Sequence, residues 1–262
     1  MRALPTQSTT DLIHAYHNAR KRLLLLDYDG TLVGYFDRPE DAAPTPDLLR
    51  LIESLAGVES NTVAIVSGRS RRYIAQWFDG IPGIWMALEH GALLRPPNSN
   101  EWEPVRPGQS REWMEGIRRL FQGFTGRAPG SFIEEKEYAL VWHYRMADPD
   151  LGDRLAAELL ASLERLLAGS ELHAIPGRKI VEVRPAWVHK GTAGRRLVEL
   201  CGPADFVLAA GDDRTDEDLF EAMDGCAWTV HVGTGESCAR LSLAGPDDLL
   251  ALLGRLAAGT RL

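Results

Sequence analysis

Two aspartates one residue apart, Asp27 and Asp29, follow a short apolar run and precede Gly30. Carboxylates at this spacing can act on opposite sides of a phosphoryl group that is being transferred. One attacks the phosphorus and forms an acyl phosphate, while the other protonates the leaving oxygen and then deprotonates the attacking water. The same pattern arises by chance and in the metal sites of glycosyltransferases. A calcium loop is excluded because Arg38 stands where the bidentate glutamate is required.

A second polar group, Ser67-Gly68-Arg69, follows another apolar run. A hydroxyl and backbone N–H groups at a helix start suit a phosphate oxygen. An ordinary strand-to-helix turn capped by Ser67 has the same residues, and the motif alone favours that interpretation. Lys190, at the start of a predicted helix, would place a point charge on the phosphoryl group and on Asp27. A single lysine is more often a solvated surface charge, so its position between the other motifs is what makes it a candidate.

Acidic residues cluster again after the apolar run 206–210. Carboxylates this close repel one another unless a cation lies among them, and oxygen ligands suit Mg²⁺. Helix capping is the competing explanation, and it accounts for Thr215, Asp216 and Glu217 in a first turn. It does not account for Asp212 and Asp213 at the strand end. We therefore predict a metal role for Asp212.

Apolar runs alternate with helical periodicity around these motifs, which predicts an α/β fold with a parallel sheet. The predicted strands are 23–26, 63–66, 84–88, 206–210 and 227–232. The predicted helices are 10–22, one capped by Thr45 with Pro46 in its first position, 70–78, 189–201, 215–223 and 246–257. Each polar motif follows a strand, at the edge of the sheet where sites of such folds lie.

The middle of the chain has a different pattern. Prolines and Gly108 indicate a linker over 96–108. Alternating strands are predicted over 138–145 and 179–184, with a long helix from Asp148 to about residue 168 between them. In the first strand, the aromatic face of Tyr138, Trp142 and Tyr144 is predicted to be core. We expect an α+β module at 106–185, inserted into a core formed by 1–105 and 186–262.

Composition narrows the class of protein. The 262 residues carry a formal net charge of -8, which argues against a dedicated nucleic-acid binder. Three cysteines without a C-x-x-C pair fit neither a disulfide framework nor a zinc cluster, so a cytoplasmic location is expected. Residues 1–20 lack the order of a signal peptide, and the apolar run Leu23 to Leu26 is far too short to span a membrane. We expect no membrane partner and a monomer, with oligomers left open.

Together and in this order, the motifs resemble the haloacid dehalogenase superfamily of phosphotransferases, over about residues 23–95 and 186–235. The resemblance implies a Rossmann-like core with an inserted cap domain. The catalytic residues that it implies are Asp27 as nucleophile, Asp29 as acid and base, and Ser67 and Lys190 on the phosphate. The metal that it implies is Mg²⁺, held by Asp27, Asp212 and the backbone carbonyl of Asp29. Asp213 and Asp216 would support this metal shell.

Finer features are similar to the trehalose-6-phosphate phosphatase family. They are Gly211-Asp212-Asp213 with Thr215-Asp216-Glu217, Glu89-His90-Gly91 with Arg95, Glu134-Glu135-Lys136, His143-Tyr144-Arg145 and the run 181–185. This resemblance implies hydrolysis of a small sugar phosphate, trehalose 6-phosphate. The substrate-binding residues that it implies are Thr31, Gly68, Arg69, Glu89, His90, Glu134, Lys136, Arg145 and Glu182.

Other functions stay open beside this one. Phosphatases of glucosylglycerate or glucosylglycerol phosphate would share the same features, and a sugar phosphomutase would share the core. A catalytically silent sensor or a synthase-partner subunit is a further alternative, although such proteins usually lack a catalytic group and all of them are present here. No synthase-like region precedes the motifs, so a free-standing enzyme is expected.

Overall fold

The computed structural model describes residues 8–36 and 38–259 of the chain. The helices are α1 (Thr9–Asn18), α2 (Pro46–Ala56), α3 (Arg71–Phe78), α4 (Trp113–Thr125), α5 (Pro149–Leu166), α6 (Lys190–Cys201), α7 (Arg214–Ala222) and α8 (Pro246–Ala258). The strands are β1 (Arg22–Leu26), β2 (Asn61–Val66), β3 (Ile84–Leu88), β4 (Leu93–Arg95), β5 (Glu103–Pro104), β6 (Phe132–Glu135), β7 (Leu140–His143), β8 (Leu172–Gly177), β9 (Ile180–Pro185), β10 (Phe206–Gly211), β11 (Trp228–Val232) and β12 (Leu241–Leu243). The sequence predicts that residues 1–20 are not a signal peptide, and residues 1–7 of that segment lie outside the described residues.

The chain divides into two compact units. Met1–Val105 and His189–Leu262 form the core unit, and Arg106–Val188 form the inserted unit. The sequence-based division places the second boundary at 185, three residues earlier than the structural one. No helix within the described ranges combines the length and the apolar character that crossing a membrane requires.

The core unit is built on a sheet with the strand order β12-β11-β10-β1-β2-β3-β4-β5. Neighbouring strands from β12 to β3 run parallel, whereas β4 and β5 each run antiparallel to the strand before them. The predicted α/β fold is thus confirmed, and its sheet is mixed rather than wholly parallel. The antiparallel edge includes β5, which lies inside the segment 96–108 that was predicted to be a linker.

Strand β1 is buried on both of its faces, as its unbroken apolar sequence predicts. Leu24 and Leu26 pack in a cluster with residues of α1, α2, α3 and α8. Leu23 and Leu25 pack in the opposite cluster, with residues of α6 and α7. Leu26 pairs in register with Ile65 and with Ala210 of the two flanking strands. The polar residues that follow these three strands therefore emerge at one edge of the sheet.

The predicted N-terminal helix over 10–22 is too long, because α1 ends at Asn18 and β1 begins at Arg22. The Asp205 carboxylate accepts hydrogen bonds from the backbone N–H groups of Arg20 and Lys21, at 3.1 Å each. These N–H groups therefore bond away from the helix. An aspartate 185 residues away ends the helix, and the local sequence pattern contains no trace of it.

The inserted unit has an antiparallel sheet with the strand order β6-β7-β9-β8. Helix α4 contacts β6 and β7, and α5 contacts β8 and β9. Trp142 and Tyr144 lie in the cluster between the helices and the sheet, as predicted, while Tyr138 packs against Trp187 instead. The strand predicted over 138–145 is shorter, because β7 covers only Leu140–His143 and the chain turns at 145–146. Helix α4 and strands β6 and β8 were not predicted.

Candidate active site

A buried lysine joins two buried aspartates at the carboxyl edge of the core sheet. Lys190, the first residue of α6, donates from Nζ to Asp27 Oδ1 at 2.7 Å and to Asp216 Oδ1 at 2.8 Å. Asp27 is 3% exposed, Lys190 2% and Asp216 0%. Lys190 is therefore not the solvated surface charge that a lone lysine usually is, since burial of a charge requires a partner.

The pKa values of Asp27, Asp216 and Lys190 are all raised above their ordinary values. Burial raises the pKa of Asp27 well above its usual range, the Asp216 carboxylate adds to the rise, and Lys190 opposes it. Burial raises the pKa of Asp216 to about 7, again against the effect of Lys190. Burial acts to lower the pKa of Lys190, but Asp216 and Asp27 outweigh it and hold that pKa well above its ordinary value. The ammonium and the two carboxylates are thus a strongly interacting set.

A third carboxylate, that of Asp212, is fixed from both of its oxygens. Thr31 Oγ1 lies 2.8 Å from Asp27 Oδ2 and 3.1 Å from Asp212 Oδ1, so one hydroxyl joins two carboxylates. The Tyr35 hydroxyl donates to the other oxygen of Asp212. Burial raises the pKa of Asp212. Thr31 is fully buried; its predicted contact with substrate stays a prediction. Tyr35 was missed, and its nearness to the motif in sequence is the one signal that could have found it.

Two glycines allow these carboxylates to lie where they do. A Cβ at Gly30 would stand 2.1 Å from Asp212 Oδ2, and Gly30 has a φ of +81°. A Cβ at Gly211 would stand 2.1 Å from Asp216 Cγ. Any side chain at either position would displace a carboxylate. The turn after β1 and the end of β10 are therefore shaped to bring the acidic side chains close to the backbone.

The acidic cluster has the donor chemistry of a divalent-cation site. Asp27, Asp212 and Asp216 each offer one oxygen, and these three oxygens lie within 4.8 Å of one another. Carboxylate oxygens are the ligands that Mg²⁺ prefers in proteins.

Asp213, also predicted at the metal, is the N-cap residue of α7. Its Oδ1 accepts from the Thr215 N–H at 2.8 Å, and the Asp216 side chain completes a capping box with it. The interpretation that capping leaves Asp213 unexplained is therefore wrong. Lys190 Nζ is 4.0 Å from Asp213 Oδ1, so the residue still contributes negative charge to the site.

Asp29 does not point its carboxylate into this cluster. The Arg69 guanidinium donates two parallel hydrogen bonds to the Asp29 carboxylate, from Nε to Oδ2 and from Nη2 to Oδ1, each 2.6 Å long. The guanidinium also lies over the rings of Tyr28, Tyr73 and Trp77, at 5.8, 5.7 and 5.3 Å from their centroids. The sequence predicted Arg69 as a substrate contact, and the structure places it on Asp29.

The loops after β2 and β3 lie against one another. Ser67 is 1% exposed and its Oγ accepts from the Arg69 N–H at 3.1 Å. Helix α3 has Ser70 as its N-cap, so the interpretation of Ser67 as a helix cap is wrong. The Glu89 N–H donates to the Arg69 carbonyl and the His90 N–H to the Ser67 carbonyl, both at 3.0 Å. The two loops therefore form one bonded unit beside Asp27.

Backbone strain accompanies this arrangement. Glu89 and His90 have φ values of 54° and 56°, in the left-handed region that side-chain-bearing residues rarely occupy. A Cβ at Gly68 would stand 2.3 Å from the His90 ring. Paired residues in a strained conformation persist only where the surroundings hold them, and such strain clusters at functional sites.

In the inserted unit, Glu182 on β9 is 4% exposed and has two cationic neighbours. Lys136 Nζ is 3.6 Å from its Oε2, and Arg184 Nη1 is 3.3 Å from its Oε1. Glu182 and Arg184 share the sheet face opposite Val181 and Val183, which pack in the core. The alternating pattern of the strand predicted over 179–184 places these two polar side chains on that face.

Of the other two predicted residues of the inserted unit, Glu134 lies in one row of the sheet with Glu182, through Val141, and Arg145 follows the end of β7. Glu134 on β6 lies 2.9 Å from His143 Nε2. The exposed Arg145 donates to the Arg178 carbonyl at 3.4 Å. The contacts described here join Lys136 to Glu182, Glu134 to His143, and Arg145 to the Arg178 carbonyl.

Comparison with known proteins decides the family. The family model described as Trehalose-phosphatase matches residues 25–239. The chain belongs to the trehalose-phosphatase family. That match spans every candidate residue from Asp27 to Asp216. The bifunctional trehalose-6-phosphate synthase/phosphatase of Thermoproteus tenax is 39% identical over 256 residues, which are 98% of this chain and 34% of that protein. A trehalose-phosphatase of Schizosaccharomyces pombe is 37% identical over 85% of this chain and 27% of its own length.

This trehalose-phosphatase family member therefore spans about a third or less of the length of those curated relatives. Among solved structures, the C-terminal domain of the C. albicans trehalose-6-phosphate phosphatase is 31% identical with a TM-score of 0.88, over 97% of this chain and 98% of that chain. A haloacid dehalogenase-like hydrolase of B. subtilis has a TM-score of 0.64 at 15% identity, over 89% of this chain and 98% of that chain, which shows the fold alone. The predicted family and fold are both confirmed.

Proposed function

We propose that the chain is a Mg²⁺-dependent phosphatase that hydrolyses trehalose 6-phosphate to trehalose and phosphate through a phospho-aspartyl intermediate on Asp27. One observation carries the proposal. In a member of the trehalose-phosphatase family, the carboxylate that follows the central strand is buried, held by Lys190 and flanked by Asp212 and Asp216.

In the first step, an oxygen of Asp27 attacks the phosphorus of the bound substrate. The bond from phosphorus to the sugar oxygen breaks, its electron pair stays on that oxygen, and the Asp29 carboxyl group supplies the proton. Lys190 keeps its positive charge beside Asp27 and offsets the charge of the phosphoryl oxygens. Ser67 and the backbone of Gly68 are proposed to donate to those oxygens.

In the second step, the Asp29 carboxylate takes a proton from a water molecule that attacks the phosphorus. The bond from phosphorus to the Asp27 oxygen breaks, phosphate leaves, and Asp29 is protonated again for the next substrate. The free Asp27 carboxylate then accepts again the hydrogen bond from Lys190 that is present in the structure without substrate. Both steps therefore use one pair of aspartates in alternating roles.

The residues present fit Mg²⁺, because three carboxylate oxygens converge within 4.8 Å and Lys190 is the cation that the described contacts place on Asp27 and Asp216. Asp27, Asp212 and Asp216 would hold the ion, with the Asp29 backbone carbonyl and Asp213 completing the proposed set. When bound, the ion supplies positive charge to the phosphoryl oxygens in the transition state.

We further propose that the inserted unit selects the sugar. Its carboxylates and cations have the chemistry that binds sugar hydroxyls and a phosphate, and the residues proposed are Glu134, Lys136, Arg145 and Glu182. In the core unit, Thr31, Arg69, Glu89 and His90 remain predicted substrate residues, with Arg69 reconsidered below. The cytoplasmic location and the monomeric state also stay predictions.

Phosphate release from a panel of sugar phosphates, with and without Mg²⁺, tests the proposal. The panel holds trehalose 6-phosphate, glucosylglycerate phosphate, sucrose phosphate and glucose 6-phosphate. We expect Mg²⁺-dependent release with preference for trehalose 6-phosphate. Preference for another glycoside would keep the chemistry and overturn the assignment of the sugar residues. Absence of release from all of them would favour a silent sensor.

The nucleophile is tested by Asp27→Asn. Because an amide does not form the acyl phosphate, we expect turnover to be abolished while the circular dichroism spectrum stays that of the folded protein. Asp47→Asn is the matched control, since Asp47 is an exposed residue of α2. Activity retained in Asp27→Asn would overturn the mechanism.

A further inference from the structure

Arg69 holds both oxygens of the Asp29 carboxylate. Two parallel contacts of 2.6 Å join the guanidinium edge formed by Nε and Nη2 to the two carboxylate oxygens. We infer that Arg69 is a positioning residue that aims the acid/base Asp29 at the leaving oxygen, and is not a phosphate contact. The inference rests on the proposed function and deepens it.

The geometry of the pair explains why a single arginine suffices. A carboxylate held at one oxygen can rotate about its last bond, whereas a fork that meets both oxygens fixes the plane of the group. Asp29 follows Asp27 by two residues in a turn, and 28% of its side chain is exposed. A partly exposed side chain in a turn has few packing contacts to orient it. The guanidinium supplies the missing constraint.

Arg69 is itself anchored along its whole length. Its side chain is 13% exposed, and the guanidinium lies over the faces of Tyr28, Tyr73 and Trp77. Its backbone N–H donates to Ser67 Oγ, and its carbonyl accepts from the Glu89 N–H. The loop after β2 therefore holds the Arg69 side chain in a fixed position against Asp29, the residue proposed to act on the leaving group.

The same contacts argue against Arg69 as a phosphate ligand. One of the two bidentate edges of the guanidinium, that formed by Nε and Nη2, already binds Asp29. A phosphate that took this edge would displace the acid/base group from its support. Lys190 is bonded to the proposed nucleophile, Asp27, and is therefore the cation expected beside the reacting phosphorus.

Leaving-group chemistry separates the two roles. A sugar alkoxide leaves only with a proton, whereas p-nitrophenolate leaves without one because its charge is delocalised over the ring. The quantity to compare is kcat/KM, which covers the steps up to departure of the leaving group and omits the later hydrolysis of the phospho-aspartate. Removal of a residue that acts through Asp29 should lower kcat/KM for the sugar phosphate selectively. Removal of a phosphate ligand should lower kcat/KM for both substrates equally.

The experiment measures kcat/KM of Arg69→Met with trehalose 6-phosphate and with p-nitrophenyl phosphate, both with Mg²⁺. For trehalose 6-phosphate we expect a loss that approaches the general-acid contribution of about 10²–10⁴-fold, and for p-nitrophenyl phosphate a change below ~10-fold. Asp29→Asn should show the same selectivity. The double variant should lose no more than Asp29→Asn alone, since both act on one group.

Two further variants guard against a general disturbance of the loop. Arg72→Met makes the same change at an exposed arginine on α3. Its kcat/KM for both substrates should stay close to that of the unaltered enzyme. Arg69→Lys retains the charge over the aromatic rings but cannot meet both oxygens with a fork. We expect it to keep the folded structure and to show the same selectivity as Arg69→Met, at smaller size.

Equal losses on the two substrates would overturn the inference and return Arg69 to the phosphate. Unchanged kcat/KM for trehalose 6-phosphate would also overturn it. These results concern the variants alone. Failure of the unaltered enzyme to hydrolyse either substrate would overturn the proposed function, and the inference with it.

Discussion

Charge is unevenly distributed among the side chains around Lys190. The carboxylates of Asp27, Asp212 and Asp216 gather about one ammonium group. Burying a charge without a partner costs several kcal/mol, so the arrangement is incomplete with lysine alone. The raised pKa values of the three carboxylates express the same imbalance. A divalent cation would restore the balance without adding a proton.

Tyr35→Phe tests how Asp212 is oriented for that cation. The variant removes the hydroxyl that donates to Asp212 and leaves the ring in place. Partners of metal ligands typically contribute about 10–100-fold to metal affinity, and we expect a weakening of this size for Mg²⁺. Isothermal titration with MgCl₂, without substrate, measures it.

Phe36→Leu is the control for Tyr35→Phe, because Phe36 is the adjacent exposed aromatic residue. Its Mg²⁺ affinity should match that of the unaltered protein. An undiminished affinity in Tyr35→Phe would show that Thr31 alone suffices to hold Asp212.

The chemistry of single residues was more predictable than their partners. Carboxylates after an apolar strand predicted Asp27 and Asp212 at one place, because strand ends meet at one edge of a sheet. The structure gives Arg69 and Asp213 partners that the sequence did not predict, Asp29 and Thr215. A guanidinium serves a phosphate and a carboxylate equally well, and the distance between loops decides which one it meets.

At the scale of elements, β10 is notable for ending in Gly211, where a Cβ would lie 2.1 Å from Asp216 Cγ. Gly211→Ala must move Asp216, and with it the lysine that Asp216 binds. We expect a loss of about 1–3 kcal/mol in the free energy of unfolding, typical of overpacking, together with weaker Mg²⁺ binding. Chemical denaturation and titration calorimetry measure the two effects.

Gly254→Ala provides the comparison for Gly211→Ala. Gly254 lies in α8 with no atom near its would-be Cβ, so alanine there should stabilise the protein by about 0.5–1 kcal/mol. Destabilisation at Gly254 equal to that at Gly211 would remove the argument from close approach.

Elements with strong periodicity were predicted, and weak ones were not. Strand β5 has two residues, one of them Pro104, and gave no strand signal. Helix α4 did carry a signal, since its buried residues Met114, Ile117, Phe121 and Phe124 repeat at helical spacing. No helix was predicted for that segment. The end of α1 depended on Asp205, which no local pattern reveals.

At the scale of the whole molecule, each unit has a hydrophobic core of its own. Trp142 is fully buried among residues of the inserted unit alone. Trp142→Ala should lower the stability of that unit by about 3–5 kcal/mol. Hydrogen exchange followed by mass spectrometry should show faster exchange in β7 and β9, with β1 and β10 unchanged. Equal loss of protection in β10 would mean that the units unfold together.

The insertion was predictable because the alternation of strands and helices stops and later resumes. Its place between the second polar motif and Lys190 followed from the same break. The sugar that the inserted unit is proposed to select was predicted through resemblance, since the physical pattern indicates only a polar sheet face.

The pairing of β1 with β10 has a consequence for how the chain is made. Leu26 and Phe206 are about 180 residues apart in sequence, with the inserted unit between them. At a synthesis rate of about 5–20 residues per second, that interval lasts on the order of ten to forty seconds. Until that interval ends, β1 of the nascent chain can pair with β2 on one side, while its other edge stays unpaired and apolar. Protection of this edge from pairing with other chains then depends on factors that bind the nascent chain at the ribosome.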